Sequence, residues 1–288
     1  MSVLLTFAFL VLWIPAQSPA GHLVLDGGGR SLPEIRQHAI ELAGGPNARM
    51  LLVPHAAGDH ADPDLAEIIE FWRGQGVKSV DVLDLTDRER AIDQINRADF
   101  IWMTGGNQVR LVEELQKAKV VDALRARFQK GAVVGGTSAG AAAASTVMIG
   151  GYLGRRDTPE GRRPLLLPGL GLWPEAIVDQ HFRQRDRALR LKSAVADHPA
   201  LVGVGIDEST AIIVSGNRLT VIGKGEVSVL DPRKVTRPSL ETANGGGETG
   251  PKDAKSESAE PAVTILRGGS EFDFATGKLV SKTPATVP

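Results

Sequence analysis

The sequence of 288 residues contains no cysteine, a single tyrosine and only 5% aromatic residues. Without cysteine there is no disulfide, no thiol nucleophile and no thiolate metal ligand. Covalent chemistry must then come from oxygen or nitrogen, and stability from the core, for which 42% hydrophobic residues suffice. An excess of charge is lacking too. The formal net charge of -1 argues against nucleic acid as a partner, because such binders carry a clear basic surplus. No H-E-x-x-H spacing is present, and "LDGGGR" fails G-x-G-x-x-G because Leu32 stands where glycine is required. No metal and no nucleotide cofactor is therefore expected. Long apolar runs are confined to the N-terminus, where residues 3–14 are uncharged and precede Pro15 and the small residues Ser18, Pro19 and Ala20. This reads as a secretory signal over residues 1–20, too short to span a bilayer that needs roughly 20 apolar residues. The mature protein is expected to be secreted or periplasmic, with no membrane attachment once the signal is removed.

From residue 21 onward, short apolar runs ("HLVLD", "RMLLV", "SVDVL", "DFIWM", "AVVGG") alternate with segments of helical period. Such alternation predicts a parallel sheet covered on both faces, a three-layer, doubly wound α/β architecture with ligands beyond the carboxyl ends of the strands. After Asp197 the pattern turns to β-rich runs joined by glycine and asparagine, with Gly216 and Asn217 as a hairpin turn. These runs read as a C-terminal antiparallel extension of the same domain, residues 21–288. Residues 239–262 carry no apolar period and read as a disordered loop.

What the chain does have is a serine among small residues. In "VVGGTSAGAAAAS", Gly136, Thr137, Ser138, Ala139 and Gly140 satisfy G-x-S-x-G between a predicted strand and a predicted helix, the context that gives this motif meaning. A strand turning sharply into a helix holds the serine in a strained conformation, and side chains at the flanking positions would collide with neighbouring backbone. The N–H of Ala139 is a candidate oxyanion donor, and Gly106, in the strand-end pair of "MTGGNQ", a second. Of six histidines, His181 in "VDQHFRQRDRALRL" follows an apolar strand-like run and is the candidate base. A carboxylate should orient it. Asp157 and Glu160 in the loop between Ser138 and His181, and Glu208 in "GIDESTA", are the candidates; pattern alone leaves all three open, with Asp157 first. Residues 155–192 hold nine basic residues against five acidic ones, and Arg183, Arg187 and Arg190 share a helical spacing. Guanidinium groups in such number suit a substrate rich in carboxylates.

"LDGGGR", "MTGGNQVRL", "GGTSAGA", "VDQHFRQRDRALRL" and "GIDESTA", in this order, resemble the S51 serine peptidases, in particular their cyanophycinase branch, over residues 21–231. The resemblance implies a class I glutamine amidotransferase-like fold, Ser138 as nucleophile, His181 as base and an acid in the Asp157 loop. It implies that Gln108, Asp179, Gln180, Arg185, Arg187 and Arg190 line the substrate pocket, and it suggests a homodimer. The implied activity is exopeptidase hydrolysis of cyanophycin, a poly-aspartate bearing arginines, to β-Asp-Arg dipeptides through an acyl-enzyme. The alternatives are an aspartyl dipeptidase acting on short α-Asp peptides and a catalytically silent homologue that binds acidic peptides.

Overall fold

The computed structural model describes residues 21–57, 65–154, 163–236 and 260–282. The expected signal at residues 1–20 lies outside them, as does most of the expected loop at 239–262.

Five parallel strands form the centre of a nine-stranded sheet: β1 (His22–Asp26), β2 (Arg49–Val53), β3 (Ser79–Val82), β4 (Phe100–Met103) and β5 (Val133–Thr137), side by side in the order β1-β5-β4-β2-β3. Their side chains alternate between two cores, as a sheet buried on both faces requires. Leu23, Leu25, Leu51, Val53, Ile101 and Met103 enter one core. Val24, Met50, Leu52, Phe100 and Trp102 enter the other. Helices α1 (Pro33–Leu42) and α2 (Leu65–Gly74) cover the second face, with Ile35, Ala39 and Trp72 packed into it. Helices α3 (Arg88–Arg97), α4 (Gln108–Lys117), α5 (Val121–Gln129) and the short α6 (Ala139–Ala143) supply the first. Sequence explains their starts: Asp87 and Asn107 accept the first free N–H groups of α3 and α4, and proline opens α1.

The hairpin β10 (Thr210–Ser215) and β11 (Arg218–Gly223) extends β1 antiparallel, turning at Gly216, whose φ is 55°, and Asn217. β14 (Ser270–Asp273) and β15 (Lys278–Lys282) complete that sheet. The other C-terminal strands depart from a single extension. β8 (Ala176–Gln180), β9 (Val202–Ile206), β12 (Glu226–Thr236) and β13 (Glu260–Arg267) form a separate four-stranded sheet, so the chain crosses between sheets at each of β9–β10, β11–β12 and β13–β14. Glu260, Pro261 and Ala262, expected in the loop, belong to β13. Between the sheets, β6 (Val147–Tyr152) and β7 (Pro164–Pro168) pair as a ribbon, and α7 (Ala188–Asp197) packs on the smaller sheet. The fold is α/β with a mixed sheet, as the apolar alternation indicates.

Candidate active site

Three side chains meet at the carboxyl ends of the strands. Ser138 stands between β5 and α6 with φ 51° and ψ -106°, a region that non-glycine residues rarely enter. The flanking glycines have the predicted cause. A Cβ on Gly136 would lie 2.8 Å from Gly140 Cα and Met103 O, and one on Gly140 would overlap Met103 O. Ser138 N–H donates to Asp26 O across β1, which pins the elbow to the sheet.

His181 follows β8 in the smaller sheet, so the sheets must dock correctly for it to reach Ser138. Ser145 Oγ, fully buried beyond α6, accepts from Val178 N–H in β8, and His181 N–H donates to Gly27 O. The result is a distance of 2.8 Å between Ser138 Oγ and His181 Nε2. On its other side, His181 Nδ1 lies 2.6 Å from Glu208 Oε1. A carboxylate there accepts the Nδ1 proton, leaving Nε2 as acceptor for the serine O–H. Burial holds the imidazole pKa below its ordinary 6.5, opposed by Glu208 and reinforced by Arg185 and Arg187. The base is thus neutral, and competent to take a proton, at neutral pH.

The orienting position at Nδ1 is therefore taken by Glu208; Asp157 and Glu160 lie outside the described residues. Glu208 sits where the chain crosses from β9 to β10, and its neighbour Asp207, which sequence reasoning passed over, anchors the crossing. Asp207 is buried and accepts from Arg183 Nε at 2.6 Å, from Arg183 N–H at 3.1 Å and from Glu226 N–H at 2.8 Å. Adjacent charges in "GIDESTA" were the only signal available. The glycines after β1 pack over this assembly: a Cβ on Gly28 would run into the His181 ring, and one on Gly29 would lie 2.7 Å from Glu208 Oε2.

The predicted arginine face is divided. Arg183 lies in a 3-10 turn (Arg183–Arg185) ahead of α7 and pairs with Asp207 and Glu226. Arg187 and Arg190 are buried against Asp179, itself fully buried, and Arg187 also donates to Gln180 Oε1 at 2.7 Å. Burial lowers Arg187 to about 10, so it remains cationic at neutral pH. One carboxylate thus faces two guanidinium groups inside the protein, and Asp179, expected to line the substrate pocket, is engaged by Arg187 and Arg190 instead. Arg185 is exposed beside His181, and Gln108, half-buried, donates to Ile149 O at 2.7 Å. Gly106, with φ 137°, lies after β4, and a Cβ on the adjacent Gly105 would stand 3.6 Å from Ser138 Cβ. Ala139 opens α6, where the first N–H groups have no acceptor within the helix. Among the described residues no cluster of three or more histidines and carboxylates is placed to hold a metal ion, and no helix is long and apolar enough to cross a membrane.

Comparison with known proteins places the chain in a family. The model of peptidase family S51 matches residues 23–222. The chain is 38% identical over 210 residues to the cyanophycinase of Trichormus variabilis, covering 70% of each chain. It is 37% identical over 233 residues to that of Synechococcus elongatus, covering 75% of this chain and 71% of the relative. Peptidase E of Actinobacillus pleuropneumoniae is 29% identical over 144 residues, 47% of this chain and 58% of that one. In fold, the chain is similar to a peptidase from an acI-B1 Actinobacterium, with TM-score 0.60 and 21% identity over 88% of this chain and 97% of that one.

Proposed function

The chain belongs to peptidase family S51 and is a serine-type peptidase; from that premise we propose that it hydrolyses cyanophycin to β-Asp-Arg dipeptides, with Ser138, His181 and Glu208 as its catalytic set. One observation carries the reading: the unbroken line from Ser138 Oγ through His181 to Glu208, at 2.8 and 2.6 Å. Ser138 Oγ attacks the peptide carbonyl while His181 Nε2 takes its proton, and Glu208 stabilises the imidazolium that forms. The N–H groups of Gly106 and Ala139 receive the developing oxyanion. His181 then protonates the leaving amine, and water, activated by the same imidazole, releases the acyl group. Arg185 and Gln108 contact the substrate, and the paired Asp179, Gln180, Arg187 and Arg190 shape the wall behind them.

The substrate is proposed from the likeness to proteins named cyanophycinase, which is closer and longer than the likeness to peptidase E. The test is incubation of the purified protein with cyanophycin and, separately, with α-Asp dipeptides. Release of β-Asp-Arg is expected. Turnover of the α-peptides alone would replace the substrate assignment with that of an aspartyl dipeptidase.

A further inference from the structure

Ser138, His181 and Glu208 come from three separate segments, and one short turn holds all three. Asp26 O, at the end of β1, accepts from Ser138 N–H at 2.9 Å, and Gly27 O accepts from His181 N–H at 2.8 Å. Gly28 O accepts at 3.0 Å from the N–H of Ser209, the neighbour of Glu208, and Arg30 O accepts at 2.9 Å from the Ser209 hydroxyl. The three residues bound through their N–H groups are also strained: φ is 51° at Ser138, 46° at His181 and 55° at Ser209. Such conformations persist only where the surrounding structure over-determines them. Consecutive carbonyls of residues 26, 27 and 28 supply part of that constraint at each of the three.

A turn that sets three segments must itself be set. Gly28 and Gly29 have φ 95° and 69°, conformations that glycine enters freely and does not fix. Gly27 N–H donates to Thr210 O at 2.9 Å, and Gly28 N–H donates to the side chain of Asp26, with Oδ1 at 2.8 Å. Gly28 is also the residue against the His181 ring, so the Asp26 carboxyl fixes the point where the turn meets the base. Asp26 is fully buried, and burial raises its pKa to about 6 against the opposing pull of the Gly28 N–H, the Ser31 hydroxyl and Arg36. An acid in this place costs stability at neutral pH, so core packing gives no reason for it. The bond to Gly28 does.

We propose that Asp26 is a positioning residue for the peptidase reaction: by holding the Gly28 N–H it fixes the turn of residues 27–30, whose carbonyls help to place Ser138, His181 and Glu208 relative to one another. The proposal rests on those three as the catalytic set. Asp26 acts through the backbone of the turn and not on substrate, so freeing the turn slows bond formation at Ser138 and leaves binding alone.

A fluorophosphonate reads this without cyanophycin. Ser138 Oγ forms a bond to phosphorus, its proton passes to His181 and fluoride leaves. The adduct on the purified protein is followed by mass spectrometry, which separates the saturating rate, kinact, from the binding constant, KI. Three substitutions grade the acceptor offered to Gly28: Asp26→Asn keeps a carbonyl oxygen, Asp26→Ser supplies a shorter and weaker one, and Asp26→Leu removes it at similar volume. In Asp26→Leu, kinact is expected to fall about 30-fold or more, with KI within about twofold. Asp26→Asn is expected to recover about tenfold of that loss, with Asp26→Ser between the two. Circular dichroism establishes that each variant is folded; should Asp26→Leu not fold, the Asn and Ser variants decide, with kinact expected to differ about threefold or more. Equal kinact among the folded variants, or a loss that falls on KI, would overturn the positioning role and leave the nucleophile standing. Ser138→Ala is expected to take no label. Labelling of Ser138→Ala at the rate of the unaltered protein, or no labelling of the unaltered protein, would overturn the catalytic set and the positioning role with it.

Discussion

Replacing Glu208 by glutamine removes the charge of the orienting acid while keeping its shape. In the transition state His181 becomes cationic with Glu208 Oε1 2.6 Å from Nδ1. Unit charges about 4 Å apart interact by about 1 kcal/mol in water and about 4 kcal/mol at the effective dielectric near a protein surface. The Glu208 side chain is 35% exposed, so solvent screening discounts the upper figure. About 2–3 kcal/mol remains, which is about a 30- to 150-fold loss in kcat. Because Glu208 raises the pKa of His181 and burial lowers it, Glu208→Gln should also move the acid limb of kcat/KM to lower pH. That shift distinguishes loss of the charge from a general loosening of the site. The assay is release of β-Asp-Arg from cyanophycin across pH 5–8, with Asp157→Asn alongside. Activity within threefold of the unaltered enzyme in Glu208→Gln, together with a large loss in Asp157→Asn, would refute the assignment.

Asp179→Asn would leave Arg187 and Arg190 buried without a counter-charge, and stability should fall by about 3–5 kcal/mol; an unchanged denaturant midpoint with a raised KM would mean that Asp179 meets substrate after all. Burial raises the Asp26 carboxyl from 3.8 to about 6, so the folded chain holds that proton more tightly than the unfolded one. Asp26 therefore costs stability above pH 6 and recovers it as pH falls toward 4. Asp26→Asn, which keeps an oxygen for the Gly28 N–H, should be more stable than the unaltered protein at pH 8, by up to about 3 kcal/mol, and equal to it near pH 4. Unfolding curves with parallel pH dependence would contradict this. If the first residues act as a secretory signal, N-terminal sequencing of exported protein should begin at or near Gly21, and exported chains that begin at Met1 would contradict it.

The sequence carried the parallel core and the elbow because both are local. Strands buried on two faces read as unbroken apolar runs, and the elbow is legible as a short G-x-S-x-G run, even though the clash that Gly140 avoids is with Met103 in β4. The orienting acid was not local. Glu208 reaches His181 because β8 and β9 form a sheet of their own and the chain then crosses to β10, an arrangement that β-rich runs in series do not announce. The arginines misled for a similar reason. Helical spacing places Arg183, Arg187 and Arg190 on one face, but Asp186, with φ 49°, breaks the chain there, and α7 starts only at Ala188. The partner that absorbs two of them, Asp179, lies in β8 and becomes their neighbour only through packing.

Mass spectrometry of the protein acid-quenched during turnover of cyanophycin tests the central claim most directly. A covalent acyl adduct is expected on the peptide containing Ser138, with both the adduct and β-Asp-Arg release lost in Ser138→Ala. Continued release of β-Asp-Arg by Ser138→Ala would contradict it.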